Sequence, residues 1–90
     1  MRVSSPYFTA FCLERDTRSG ARLGFTVTRA LGGAVVRNRA RRRMREAART
    51  RIELLGPQWD IVFNLRAPVL TAPFGGLGRE IERVFSRCKP

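Results

Sequence analysis

Histidine is absent from this chain, and lysine occurs once, at Lys89. Without histidine, Ser-His-Asp and Cys-His catalysis and histidine-bearing metal sites are excluded. Acidic residues are scarce, seven against 18 cations, and Asp16, Asp60 and Glu80 are scattered, so no carboxylate pair offers itself for phosphodiester cleavage. No catalytic residue and no metal ligand is expected in the polypeptide. Cysteine is limited to Cys12 and Cys88, far apart and matching no disulfide or metal spacing. They read as a small buried hydrophobe and a tail thiol. No apolar run is long enough for a membrane span or a secretory leader, so a reducing, cytoplasmic setting is the default expectation.

What the chain does contain is arginine. Seventeen of its 18 cations are Arg, and the net charge is +11 over 90 residues. That length supports one core of about two layers and no second domain, so residues 1–90 are expected to form a single unit. At 43% apolar the chain is too hydrophobic to be a disordered basic tail. A surface this charged points to a polyanion, because docking on phosphate releases condensed counterions. Nucleic acid is the first candidate and an anionic membrane the competitor.

Val3 to Leu13 is aromatic and β-branched, a strand with Phe8, Ala10 and Cys12 on one side and Tyr7, Thr9, Phe11 and Leu13 on the other. Ala21 to Thr28 alternates, Leu23, Phe25 and Val27 against Arg22, Thr26 and Thr28, predicting one buried and one polar face. Between Gly32-Gly33 and Gly56-Pro57 nothing interrupts a helix of about twenty residues. Val36, Ala40, Met44, Ala47, Ala48, Leu54 and Leu55 form its apolar stripe; Asn38, Arg42, Arg45 and Arg49 lie opposite, flanked by Arg39 and Arg43 at one edge and Arg37 and Arg41 at the other. Trp59 to Leu65 reads as a third strand, and Phe74 to Cys88 as a last amphipathic helix weakened at its start by Gly75, Gly76 and Gly78. The order is β-β-α-β-α, an α+β two-layer sandwich with helices on one sheet face.

Eight arginines fall between Arg37 and Arg51, with only Glu46 among them and Glu53 just beyond. An ordinary solvated helix interleaves acids at i, i+4; this one stores repulsion that a partner's negative charge relieves. Arginine suits phosphate, since its planar fork donates twice and stacks on bases.

The stretch Arg22-Leu-Gly-Phe-Thr-Val-Thr-Arg29, Gly32, Ala34-Val35 and Arg37-Asn38-Arg39-Ala40-Arg41-Arg42-Arg43-Met44-Arg45-Glu46-Ala47 resembles the bacterial ribonuclease P protein family, whose "RNR" segment likewise follows a strand and a glycine. The third strand, ending in Arg66-Ala67-Pro68, and the last helix match too, so the resemblance covers essentially the whole chain. It implies a left-handed βαβ crossover, against the usual sense. It also implies assembly with a large catalytic RNA that removes the 5′ leader of precursor tRNA, with Mg²⁺ held mainly by RNA. On that resemblance Arg37, Asn38, Arg39, Arg41, Arg42 and Arg45 are expected to bind RNA, and Arg49, on the same polar face of the helix, is expected to join them. A cleft between this helix and the open sheet face is expected to hold the leader, with Phe11 stacking on a base beside Thr9, Thr26 and Thr28; the other reading of Phe11 is a core position. Neither a membrane nor an obligate protein partner is expected. Relative to the family pattern, no helix is expected before the first strand, Arg29-Ala30 replaces two lysines, and Gly33 replaces a common Asn, leaving the helix start less well capped. The competing reading from another class is a small ribosomal or RNA-chaperone protein using the same helix; a DNA- or membrane-binding cationic protein is the third.

Overall fold

The structure is a computed structural model describing all 90 residues. Four strands, β1 (Arg2–Ser4), β2 (Phe8–Glu14), β3 (Arg22–Val27) and β4 (Trp59–Leu65), form one sheet in the order β1-β2-β4-β3. Two helices, α1 (Ala34–Arg49) and α2 (Phe74–Phe85), complete an α+β sandwich. β2 pairs antiparallel with β4, and β3 pairs parallel with it, so β3-α1-β4 is a βαβ unit.

The expected first strand is in fact two. Pro6 has no amide hydrogen to donate, and the chain turns at Ser5-Pro6-Tyr7, where the Ser5 amide donates to the Phe8 carbonyl at 2.9 Å. β1 then folds back antiparallel on β2, with Val3 opposite Ala10. Strict alternation fixes the remaining strands. Phe8, Ala10 and Cys12 of β2 and Ile61, Phe63 and Leu65 of β4 are buried on one face, and both helices pack on it. α1 contributes Ala40, Met44, Ala47 and Ala48 to the core; α2 contributes Leu77, Ile81, Val84 and Phe85. Three alanines on α1 let its backbone lie close to the sheet.

α1 ends at Arg49, earlier than the Gly-to-Gly interval predicts. Arg51 leaves helical geometry, and its side chain turns back to donate to the Ala47 carbonyl (2.9 Å) and to Glu82 of α2 (2.9 Å). A 3₁₀ turn over Ile52–Leu54 follows, which buries Leu55 and leaves Leu54 50% exposed, outside the apolar stripe to which its spacing assigns it. The last helix is likewise shorter than expected, stopping at Phe85. Cys88 is no tail thiol: it is fully buried, in direct contact with the Cys12 thiol.

Candidate nucleic-acid interface

α1 carries its buried alanines on one side, so the other side is obliged to face outward. Asn38, Arg39, Arg42, Arg45 and Arg49 are exposed there; Arg37 and Arg41, at its border, are half-buried. Asn38 accepts a hydrogen bond from Arg41 at 3.0 Å, and Arg41 Nε also reaches the Phe25 carbonyl at 3.4 Å, fixing one guanidinium against β3. Arg45 lies over the Phe25 ring, 5.9 Å from its centroid. Only Arg49 among these residues meets a carboxylate, Glu46 at 2.8 Å, and both partners of that pair are solvent-exposed.

The helix start adds to this field. Gly33 supplies no capping side chain, and the first turn contains no acid to offset the partial positive charge of the helix N-terminus. Gly32 just before it has φ +144°, a left-handed-side conformation open to glycine, and this kink turns the chain from β3 into the helix.

Two arginines of the cluster turn inward. Arg43 donates to the Leu70 carbonyl at 2.8 Å and to that of Ala72, tying α1 to the segment before α2. Arg51 lies across Gly78, where a Cβ would meet its guanidinium. Periodicity gives a residue's direction from the helix axis; it does not show which long side chains find partners on another element.

The second surface is the uncovered sheet face. Cross-strand register lines up Arg2, Phe11, Val62 and Gly24, with Thr9, Asn64 and Thr26 in the next row and Leu13, Asp60 and Arg22 on the other side. A shallow depression of about 620 Å³ opens here, lined by Phe11, Leu13 and Val62 together with Arg2 and Asp60. Phe11 is 46% exposed, on the open face and outside the core, with the Arg2 guanidinium 5.9 Å from its ring centroid. Asp60 is the one acid on this face and is neutralised: Arg22 donates to it twice, at 3.0 and 2.9 Å, and Arg15 lies 3.0 Å away. The Arg22 hydrogen bonds hold the Asp60 carboxyl below its ordinary pKa.

The other residues expected in a cleft are placed differently. Thr9 is on the open face but only 3% exposed, because Arg66 covers it and donates to its Oγ1 at 2.7 Å. Thr26 is exposed, its hydroxyl 3.4 Å from Asn64 Oδ1. Thr28 is exposed but off the end of β3, at the start of a 3₁₀ turn. Nor is α1 a wall of this face. It packs on the covered side, so the expected cleft between helix and open sheet does not exist; the two surfaces lie on opposite sides and meet only around the edge strand β3. Arg2, Val62 and Arg66 are not singled out by the sequence; Asn64 is expected opposite the apolar side of the third strand, and the same alternation assigns Val62 with it. No group of three or more Cys, Asp or Glu side chains is arranged to hold a metal ion, and no helix is long and apolar enough to cross a membrane.

The chain resembles known proteins in sequence and in fold. The chain is 48% identical over 88 residues to the ribonuclease P protein component of Chloroflexus aggregans, covering 97% of this chain and 65% of that one. It is 47% identical over 74 residues to that of Roseiflexus castenholzii, covering 81% and 61%. The chain therefore spans somewhat under two thirds of the length of these curated relatives. The ribonuclease P protein of Thermotoga maritima superposes with a TM-score of 0.84 at 22% identity, over all of this chain and 84% of that one. That of Staphylococcus aureus gives 0.78 at 24%, over 97% and 79%. These last two likenesses establish the fold. The family profile described as Ribonuclease P matches residues 1–89, and with the sequence relatives it shows that the chain belongs to the ribonuclease P protein family.

Proposed function

We propose that the chain acts as the protein subunit of a ribonuclease P, binding the catalytic RNA through the outer face of α1 and the 5′ leader of precursor tRNA across the open sheet face. The observation that carries this reading is the row of exposed cations on α1, of which Arg39, Arg42 and Arg45 have no carboxylate of their own chain to neutralise them. A phosphate backbone supplies the missing charge, and released counterions add to the binding. Phe11 and Val62 provide an apolar floor for unstacked bases, with Arg2, Arg22 and Arg66 around it.

Chemistry is assigned to the RNA. The metal ions of the holoenzyme are proposed to be held mainly by RNA, since no three carboxylate or thiol side chains of the chain converge on one point. The polypeptide raises local substrate concentration and fixes the leader's direction, a positioning contribution. The cytoplasm is its proposed location, with no membrane and no obligate protein partner. Reconstitution with the catalytic RNA of the same genome at low Mg²⁺ tests the reading: precursor-tRNA cleavage rises above that of RNA alone. Cleavage no faster than the RNA alone refutes it.

A further inference from the structure

A second depression, of about 300 Å³, lies on the covered side of the sheet, at the border of the α1 surface with which it shares Arg45 and Arg49. It is lined by Leu23 and Phe25 of β3, Arg45, Ala48 and Arg49 of α1, and Ile52 of the following turn. Its origin is geometric. β3 is the edge of the sheet, with no strand beyond it, and the C-terminal half of α1 returns over the strand's N-terminal half. Ala48 is too short to fill the gap between them, so Leu23 and Phe25 stay partly exposed and Ile52, at 41%, forms the outer lip.

Phe25 has two close neighbours there. Phe63 stacks on it at 5.5 Å between centroids and 12° between planes, and the Arg45 guanidinium lies over the ring. The pocket thus has an apolar floor and two guanidinium groups at its mouth, one of them lying over an aromatic ring. Arg49's tie to Glu46 is an exposed pair, of the kind that water and competing anions loosen at little cost.

From this juxtaposition we infer that the notch between β3 and α1 takes one unstacked nucleobase of the bound catalytic RNA, with Arg45 and Arg49 holding the phosphates on either side of it. The inference rests on the RNA-binding reading of α1 and adds a base-recognising site to it. Phosphate alone has no use for the Leu23, Phe25 and Ile52 walls, and a hydrocarbon ligand has none for the guanidinium groups. A nucleotide uses both, its base stacking on an Arg plane or aromatic ring and its phosphates meeting charge. The notch is too narrow for a paired duplex, so the base comes from a bulge, loop or single strand.

The experiment is footprinting of the reconstituted protein–catalytic RNA complex with hydroxyl radical for the backbone and, for bases, dimethyl sulfate (adenine and cytosine) and a carbodiimide (uracil and guanine), using the native protein, Ala48→Met, which fills the notch, and Ile52→Ser, which removes its lip. Ile52 is a surface position, so that variant folds even if the buried Ala48→Met does not; circular dichroism checks both. The expected result is one base shielded by the native protein and reactive again with either folded variant, the backbone footprint of α1 retained, and affinity reduced roughly tenfold. A retained backbone footprint with base reactivity unchanged by the variants overturns the notch alone. If the native protein leaves no footprint of either kind, the RNA-binding reading fails with it. A concentration-dependent dimer of the free protein that both variants abolish shows that the notch holds a protein side chain instead, and overturns the inference.

Discussion

Phe11 illustrates how a residue's face decides its role. Its neighbours along β2, Ala10 and Cys12, are core, while its own ring looks onto open sheet beside Val62. Phe11→Ala is expected to weaken binding of a precursor tRNA by ~1–3 kcal/mol per stacked base while sparing mature tRNA, with the fold intact. Equal losses for both ligands, measured by equilibrium titration of the reconstituted complex, show that no leader base stacks there. Cys88 illustrates the reverse, a residue whose position in the chain misleads. Near the C-terminus, yet buried against Cys12, its thiol is pushed up to about 12, first by burial and then by the Cys12 contact. Because the thiolate is the nucleophile, native protein at pH 8 is expected to resist iodoacetamide and to react at both cysteines once unfolded in urea, as mass spectrometry shows. Alternation along β2 is enough to put Phe11 and Cys12 on opposite sides, but not to say which side is core, because both sides carry apolar residues. Nothing local could show Thr9 sheltered by Arg66, because that contact joins residues 57 positions apart.

At the scale of elements, patterns of period two and 3.6 were legible wherever one face was apolar. β4 matches its expected bounds, Trp59 to Leu65, because its alternation is uninterrupted and Arg66-Ala67-Pro68 stops it. The buried side of α1 follows its stripe through Ala48. What the stripe cannot show is where tertiary contacts end a helix, and Arg51, drawn to Glu82, ends this one. Gly78 gains a purpose from the same contact. In sequence it weakens α2, but its missing Cβ is where the Arg51 guanidinium lies. A glycine-to-alanine change inside a helix ordinarily gains about 1 kcal/mol. In the native sequence Gly78→Ala displaces Arg51 from Ala47 and Glu82, and the gain is expected to be largely cancelled. On an Arg51→Ala background the full gain returns. Urea unfolding of the four proteins measures the coupling; additive changes would show that Arg51 and Gly78 act independently.

At the scale of the whole molecule, charge is the organising feature. Among five ion pairs, Asp60 alone is shared between two arginines, and its carboxyl is held low by Arg22. A carboxyl depressed in the folded state lends stability above its ordinary pKa of 3.8 and loses it as pH falls below that value. Asp60→Asn is therefore expected to lower the urea midpoint at pH 7 by an amount that shrinks steadily as the pH is taken below 3.8; a gap that stays constant all the way down the acid limb would assign the loss to packing. The larger imbalance is the +11 net charge, concentrated on an uncapped helix that few acids of the chain approach. Such a fold is stable against its own repulsion only by virtue of a core of 19 buried apolar residues, which is modest. An anion that binds the folded form alone raises stability by mass action, by about 2.7 kcal/mol at a hundred times its dissociation constant. Sulfate is accordingly expected to raise the melting temperature well beyond sodium chloride of equal ionic strength, since screening acts alike in both while two-oxygen contacts with Arg42 and Arg45 are available only to sulfate. In the double variant Arg42→Ala, Arg45→Ala two sources of repulsion are gone along with two ligands. Its melting temperature in chloride is expected to equal or exceed that of the native protein, its sulfate response to shrink, and its log-affinity for RNA to fall less steeply with log salt, by roughly one phosphate contact per arginine. An undiminished sulfate response and an unchanged slope would mean that the anions bind elsewhere and that the exposed face of α1 is only a solvated surface.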